Sequence, residues 1–118
     1  MSSSPKKYDL EDRTFEFAKR VRIFVKQLGK CVSNTEDGKQ VVRSSGSVGA
    51  NYIEANEALS KKDFLMRIKI CRKEAKESKY WLKLIYANTE KLEQERKLLE
   101  DEANELTHIF GAIVTKSQ

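Results

Sequence analysis

The chain has 118 residues, 35% of them charged, with one proline, five glycines and a net charge of +5. A chain of this length forms one domain that buries roughly two thirds of its unfolded surface without disulfide or metal staples, and so much charge with so few turn residues excludes a turn-rich sheet protein and implies long helices. The head MSSSPKKYDL carries no apolar signal segment, and the longest uncharged runs, 44–53 and 106–115, are ten residues each, about half of a membrane span. An all-α, soluble, cytoplasmic protein with no membrane partner is expected.

Residues 1–10, rich in Ser and Lys with Pro5, read as a flexible segment that ends where Tyr8 or Leu10 docks; residues 11–116 read as the single domain. From about 11 to 32, Phe17, Ala18, Val21, Phe24, Val25, Leu28 and Val32 follow the i, i+3, i+4, i+7 spacing of an amphipathic helix. Ser33, Asn34 and Thr35 then offer capping residues. A second helix, about 36–59, carries a core stripe of Val41, Ser44 or Ser45, Val48, Tyr52, Ala55 and Leu59. Its second stripe, Val42, Gly46, Gly49 or Ala50, and Ile53, is unusually small, which lets another helix approach closely. Ser60 with Asp63 three residues on resembles a capping box, so a third helix starts there and runs to about 87 on Phe64, Ile68, Cys71, Ala75, Ser78, Leu82 and Ile85. After a break at Asn88-Thr89, the residues Leu92, Leu99, Ala103, Leu106, Ile109, Phe110 and Ile113 define a fourth helix to about 115. Long helices joined by short loops predict an antiparallel up-down-up-down four-helix bundle. Cys31 and Cys71 fall on apolar spacings and are expected as reduced core residues rather than a bridge.

Charge is spread unevenly. Residues 61–89 hold nine basic and three acidic residues, and 90–105 hold three basic and seven acidic ones, opposite signs that favour packing the last two helices side by side. Lys62, Lys69, Lys76 and Lys83 recur at seven-residue spacing, which drifts only about 20° per repeat on a helix. They form a ridge that Arg72 and Lys79 widen. Such a ridge suits phosphates, bound through counterion release; the plainer alternative is a solvated face that keeps the protein in solution. Tyr80 and Tyr86 are placed to add stacking near it, unless they belong to the core. Met66, Ile70, Trp81 and Leu84 make an apolar stripe on the side away from the ridge, and Val42 and Ile53, with Phe15 and Ile23, are likewise off their main stripes. Met66, Ile70, Trp81, Leu84, Val42 and Ile53 are therefore the candidate oligomer interface, the competing reading being a wider buried arc.

No catalytic residue, metal or cofactor is expected. Glu105-Leu106-Thr107-His108 matches one Glu-x-x-His pair of di-metal bundles, but His108 is the only histidine, so a surface pair is the better reading. Cys31, Cys71 and the serines at 44–47 have neither an evident acid–base partner nor a strand-to-helix elbow. Gly46-Ser47-Val48-Gly49 matches the clamp loop of KH domains, yet Val48 belongs to a core stripe, and close packing is preferred. Arg43, Asn51 and Glu54 are placed to pair with Arg67, Glu74 or Glu77, fixing the register of the second and third helices, or, in a ring, to line its pore.

Taken together, Arg13-Thr14 with Phe17-Ala18, Arg43-Ser44 followed by the run from Ser47 to Ala55 (SVGANYIEA), Ser60-Lys61-Lys62-Asp63-Phe64, Lys73-Glu74-Ala75-Lys76-Glu77-Ser78 and Tyr80-Trp81-Leu82 resemble the small proteins encoded within intervening sequences of bacterial 23S rRNA genes. The resemblance covers almost the whole chain. It implies a bacterial protein, a four-helix bundle and a ring-shaped homo-oligomer, typically a pentamer, with no settled activity. A similar bundle is the accessory subunit of diversity-generating retroelements, whose basic barrel is thought to bind nucleic acid and a reverse transcriptase. The expectation is thus a non-enzymatic homo-oligomer that binds RNA or DNA through Lys62, Lys69, Arg72, Lys76, Lys79 and Lys83; the alternative is a scaffold that docks a protein partner.

Overall fold

The structure is a computed structural model and describes residues 9–118; of the flexible head expected over residues 1–10, residues 1–8 lie outside the described residues, while Asp9 caps the first helix and Leu10 begins it. Four helices follow one another, α1 (Leu10–Lys26), α2 (Val32–Asn56), α3 (Lys61–Leu84) and α4 (Glu90–Ser117). Three of them open on a side-chain cap. Asp9, Ser60 and Thr89 accept the amides of Asp12, Asp63 and Leu92 at 3.0, 3.1 and 3.1 Å, each satisfying a donor that the first helical turn leaves without a partner. Among the described residues no helix is long and apolar enough to cross a membrane.

The helix boundaries depart from the periodicity at several ends: α2 spans Val32–Asn56 rather than about 36–59, and α3 ends at Leu84 rather than about 87. α1 stops at Lys26 instead of running to about 32, so Leu28 packs on the core from a loop and Val32, 83% exposed, opens α2. The residue that looked like a cap of α2 has other work: Asn34 donates to the carbonyl of Tyr86 (2.8 Å) and accepts its amide (3.0 Å), tying the α3–α4 connection to α2. Cys31 takes the N-cap position without a side-chain bond. It is exposed, not a core residue, while Cys71 is buried and both thiols are free. Leu59, expected at the end of the α2 core stripe, is 99% exposed because α2 ends at Asn56.

The core is otherwise the one the spacings describe. Phe17, Val21, Val48, Ile68, Leu99 and Phe110 are among its fully buried members, and Tyr52 packs on Phe110 with ring centroids 5.8 Å apart. α2 and α3 share the most extensive seam. There the hydroxyls of Ser44 and Ser78 meet at 2.8 Å, Ser78 donates to the carbonyl of Glu74 (2.9 Å), and the Cys71 thiol donates to the carbonyl of Val48 (3.4 Å). Polar groups at its margin agree with the expected register: Arg43 reaches Glu74 at 3.4 Å and Glu77 at 3.6 Å, and Arg67 donates to Asn51 at 2.9 Å. Glu54 is not part of this set and stands exposed.

α1 leans chiefly on α2. Thr14 faces Gly49 and Val25 faces Gly38, whereas α1 meets α4 through ion pairs of Arg13 with Glu102 and Glu105, both 2.8 Å, and of Arg20 with Glu95 at 3.3 Å. Cα extents of 45 × 34 × 19 Å describe a flattened bundle. The approach of α1 to α2 depends on glycine. A Cβ on Gly49 would stand 2.9 Å from Thr14 Oγ1 and 3.3 Å from its Cβ, and Thr14 is held by its own bond to the carbonyl of Leu10 at 2.7 Å.

Gly49→Ala should therefore destabilise the protein by about 1–2 kcal/mol through overpacking, although alanine normally gains about 1 kcal/mol over glycine within a helix. At Gly111, where a Cβ would meet only Arg72 Cδ at 3.8 Å, the same substitution should stabilise by about 0.5–1 kcal/mol. Urea melts of the two variants test this; equal shifts of the same sign would contradict the proposed contact.

Candidate nucleic-acid interface

α3 is rotated by its seam with α2, and that rotation decides which residues face outward. With Ile68, Cys71, Ala75 and Leu82 turned fully inward, a 100° step per residue carries Lys62, Lys69, Lys76 and Lys83 to the opposite side. All four are exposed. Adjacent members are separated by about 10 Å along the axis. Arg72 and Lys79 are half-buried and lean towards α4, where Lys79 Nζ donates to Asn104 Oδ1 at 2.9 Å and Arg72 lies over Gly111. The six expected cations thus form one continuous surface.

The expected charge match between α3 and α4 is not how that surface is treated. α3 and α4 do pack together, but six carboxylates of α4 are committed elsewhere. Glu95, Glu102 and Glu105 pair with arginines of α1, Glu93 and Glu100 hold Arg96 at 2.7 and 2.9 Å, and Asp101 lies 3.3 Å from Lys97. Hydrogen bonding to Glu102 and to Glu93 raises the already high pKa of Arg13 and Arg96, and Arg96 lowers that of Glu93. On α3 itself Glu74 is buried beside Arg43 and Lys73, and Glu77 turns to Arg43. Among the described residues none of the six ridge cations forms an ion pair with a carboxylate. The ridge keeps its field.

The six apolar candidates do not form one patch. Met66 and Leu84 are half exposed at the outer edge of α3, with Ile70 and Trp81 partly covered beside them; Met66 borders a shallow cavity with Glu54, Glu57 and Leu59. Ile53 instead lines a groove of about 490 Å³ between α1 and α2, together with Phe15, Ala18 and a floor of Gly46, Gly49 and Ala50. Val42 lines a further cavity with Val25, Leu28 and Gly38. These candidates lie on the outer edge of α3 and on the side of α2 that faces α1. Phe15, 61% exposed, is the residue that marks the groove most clearly, and its place off the main stripe of α1 is the signal that points to it.

Other chemistry finds little support in the geometry. Glu105 is held by Arg13, and His108 Nδ1 lies 3.0 Å from the carbonyl of Asn104. Gly46 and Gly49 sit within α2 facing α1 rather than in a loop. The two thiols have opposite environments. The backbone amide of Asn34, then the Ser33 hydroxyl at 3.6 Å, lower the pKa of Cys31, whereas burial pushes Cys71 up to about 12.

A family model described as 23S rRNA-intervening sequence protein matches residues 6–112. Among solved structures, the chain is similar to the crystal structure of a protein of unknown function from the S23 ribosomal protein family of Bacteroides thetaiotaomicron, with 28% identity, a TM-score of 0.73, and coverage of 90% of this chain and 98% of that one. No curated protein matches the chain.

Cys31 should react with a maleimide while Cys71 stays protected until the protein unfolds. Because its thiolate is favoured, labelling of Cys31 should persist to a lower pH than labelling of an ordinary thiol. Peptide mapping across a pH series checks both points; equal labelling of the two in the folded protein would contradict them.

Proposed function

The chain belongs to the 23S rRNA-intervening sequence protein family, and on that premise we propose that it is a non-enzymatic protein that binds nucleic acid, RNA or DNA, through Lys62, Lys69, Arg72, Lys76, Lys79 and Lys83. One observation carries this reading: Glu74 and Glu77 of α3 and six carboxylates of α4 pair with other cations, and the ridge cations have no carboxylate partner among the described residues. A row of uncompensated cations exposed to solvent binds phosphates by releasing their counterions. Contacts of this kind position a ligand without reading its sequence.

The bundle is taken to be antiparallel, up-down-up-down, in the cytoplasm. Low-numbered residues of one helix meet high-numbered residues of the next, as in Thr14 with Gly49, Val25 with Gly38, and Arg43 with Glu74 against Asn51 with Arg67. The protein is further proposed to act as a ring-shaped homo-oligomer, with the resemblance setting five subunits. Support comes from the two separate apolar surfaces. A ring closed by rotation joins one surface of each copy to a different surface of the next, and the α1–α2 groove and the Met66–Leu84 edge are two such surfaces. Of the two, the groove stands apart on the α1 side, whereas Met66 borders Lys62 and Lys69. The same groove, with Phe15 and Ile53 61% and 51% exposed, also favours a second reading, a scaffold that docks another protein and leaves its lysines solvated.

Replacing Lys62, Lys69, Lys76 and Lys83 with glutamine should remove binding at about 200 mM salt and flatten the log–log salt dependence by about 3. Titration of labelled RNA and DNA across a salt series, with light scattering in the same buffers, measures both the slope and the mass. Binding that ignores these substitutions would reject the ridge as the site; a monomer mass would reject the ring.

A further inference from the structure

We infer that the ligand of this ridge is a single strand of nucleic acid, with Tyr80 as the platform on which one of its bases stacks. The inference rests on the nucleic-acid reading of the ridge and adds what the lysines alone cannot supply, a choice between strands whose base faces are open and duplexes whose faces are closed.

Tyr80 is placed within the row of lysines. It follows Lys76 by four residues and precedes Lys83 by three, so each lysine is its neighbour on the helix surface. The ring is 58% exposed, unlike that of Tyr52, which packs on Phe110. Its orientation is also restrained, because Trp81 meets it nearly edge to face, with centroids 5.1 Å apart and planes at 74°. In such a contact at most one face of the tyrosine is occupied. At least one face stays open between two cations about 10 Å apart.

A duplex has no use for that ring. Its bases are already stacked on one another, and it offers a convex helix only phosphates and groove edges; a tyrosine standing among the lysines would hold its backbone away from them. A single strand gains both terms at once, phosphates on Lys76 and Lys83 and a base on Tyr80, the combination by which single strands are bound without regard to sequence. A second aromatic extends the track. Tyr86, 67% exposed, lies just past the end of α3 beyond Lys83, and Asn34 clamps its backbone amide and carbonyl. The simpler account of Tyr80 is that it covers an edge of Trp81, and that account predicts an effect on stability but none on choice of strand.

Fluorescence anisotropy with labelled oligo(U), oligo(dT) and a mixed-sequence duplex, each about 16 nucleotides long, separates these outcomes. Tyr80→Leu should weaken binding of single strands about tenfold and leave duplex binding unchanged, while Tyr80→Phe should restore the single-strand affinity. The tighter of oligo(U) and oligo(dT) identifies RNA or DNA as the source. Irradiation of the wild-type protein with oligo(4-thiouridine), followed by peptide mapping, gives a readout that no substitution can confuse, and the adduct is expected on Tyr80 or Tyr86. Equal affinity for strands and duplex, unaltered by Tyr80→Leu, overturns the inference while leaving the ridge as a phosphate site. Absence of salt-dependent binding to any of the three overturns the ridge reading itself.

Discussion

Two buried hydroxyls hold the rotation of α3, and the outer surface of the protein follows from them. Ser78 donates to the carbonyl of Glu74, and its hydroxyl meets that of Ser44 at 2.8 Å. Both side chains are fully buried. Rotating or sliding α3 would break this contact, at about 0.5–1.5 kcal/mol, while each hydroxyl keeps a carbonyl of its own helix, Val41 at 3.5 Å for Ser44 and Glu74 at 2.9 Å for Ser78. Small residues make the tight seam possible, and Cys71 donating to the carbonyl of Val48 extends the same restraint by two turns of α3. Arg43 and Arg67 close its edge. Arg43 is half exposed while Glu74 is buried, so the pair matters more as the partner that keeps a buried carboxylate satisfied than as an attraction between charges.

The distribution of charge then separates structural from available groups. Arg13 binds Glu102 through two nitrogens at 2.8 Å and Glu105 through one, a forked geometry that suits guanidinium better than an ammonium. Arginines accordingly hold α1 to α4 and brace α4 from within through Arg96. The cations left over on α3 are mostly lysines, which bind phosphate as mobile point charges. A ligand surface needs such groups uncommitted, and the arginine pairs are what leave them so, by occupying the carboxylates that would otherwise compete for the ridge.

Most of the helical core was legible because apolar spacing records burial directly. Fully buried Phe17, Val21, Val48, Ile68, Leu99 and Phe110 all lie on the stripes that the spacing defines. The errors have physical causes. Leu28 and Val32 continue the period of α1 by coincidence, although the chain has already left the helix, and this misplaced Cys31 as well. Asn34 has the residue type of a cap but spends its amide group on Tyr86, a contact between distant segments that local sequence does not encode. Burial of Thr14 could not be read from polarity; it follows from Gly49, which leaves space for a side chain of α1. The ridge was legible because seven-residue spacing fixes a face whatever surrounds it. Its lack of carboxylate partners was not, since net charge by segment says nothing about which partner each carboxylate chooses.

The same reasoning limits what a lone protomer can do and gives the proposed ring its purpose. Contacts between exposed lysines and phosphate are each weak at physiological salt, and their energy grows with the number of phosphates neutralised together. One α3 spans about 30 Å between Lys62 and Lys83, enough for only a few contacts. Copies joined through the apolar flanks would add further ridges to the same strand, and the second would bind at the effective concentration set by the first. The seam within each bundle draws on none of the lysines, whereas Met66, four residues after Lys62 and three before Lys69, borders them. Assembly through that edge would therefore have to leave the ends of the lysines exposed for a strand to use them.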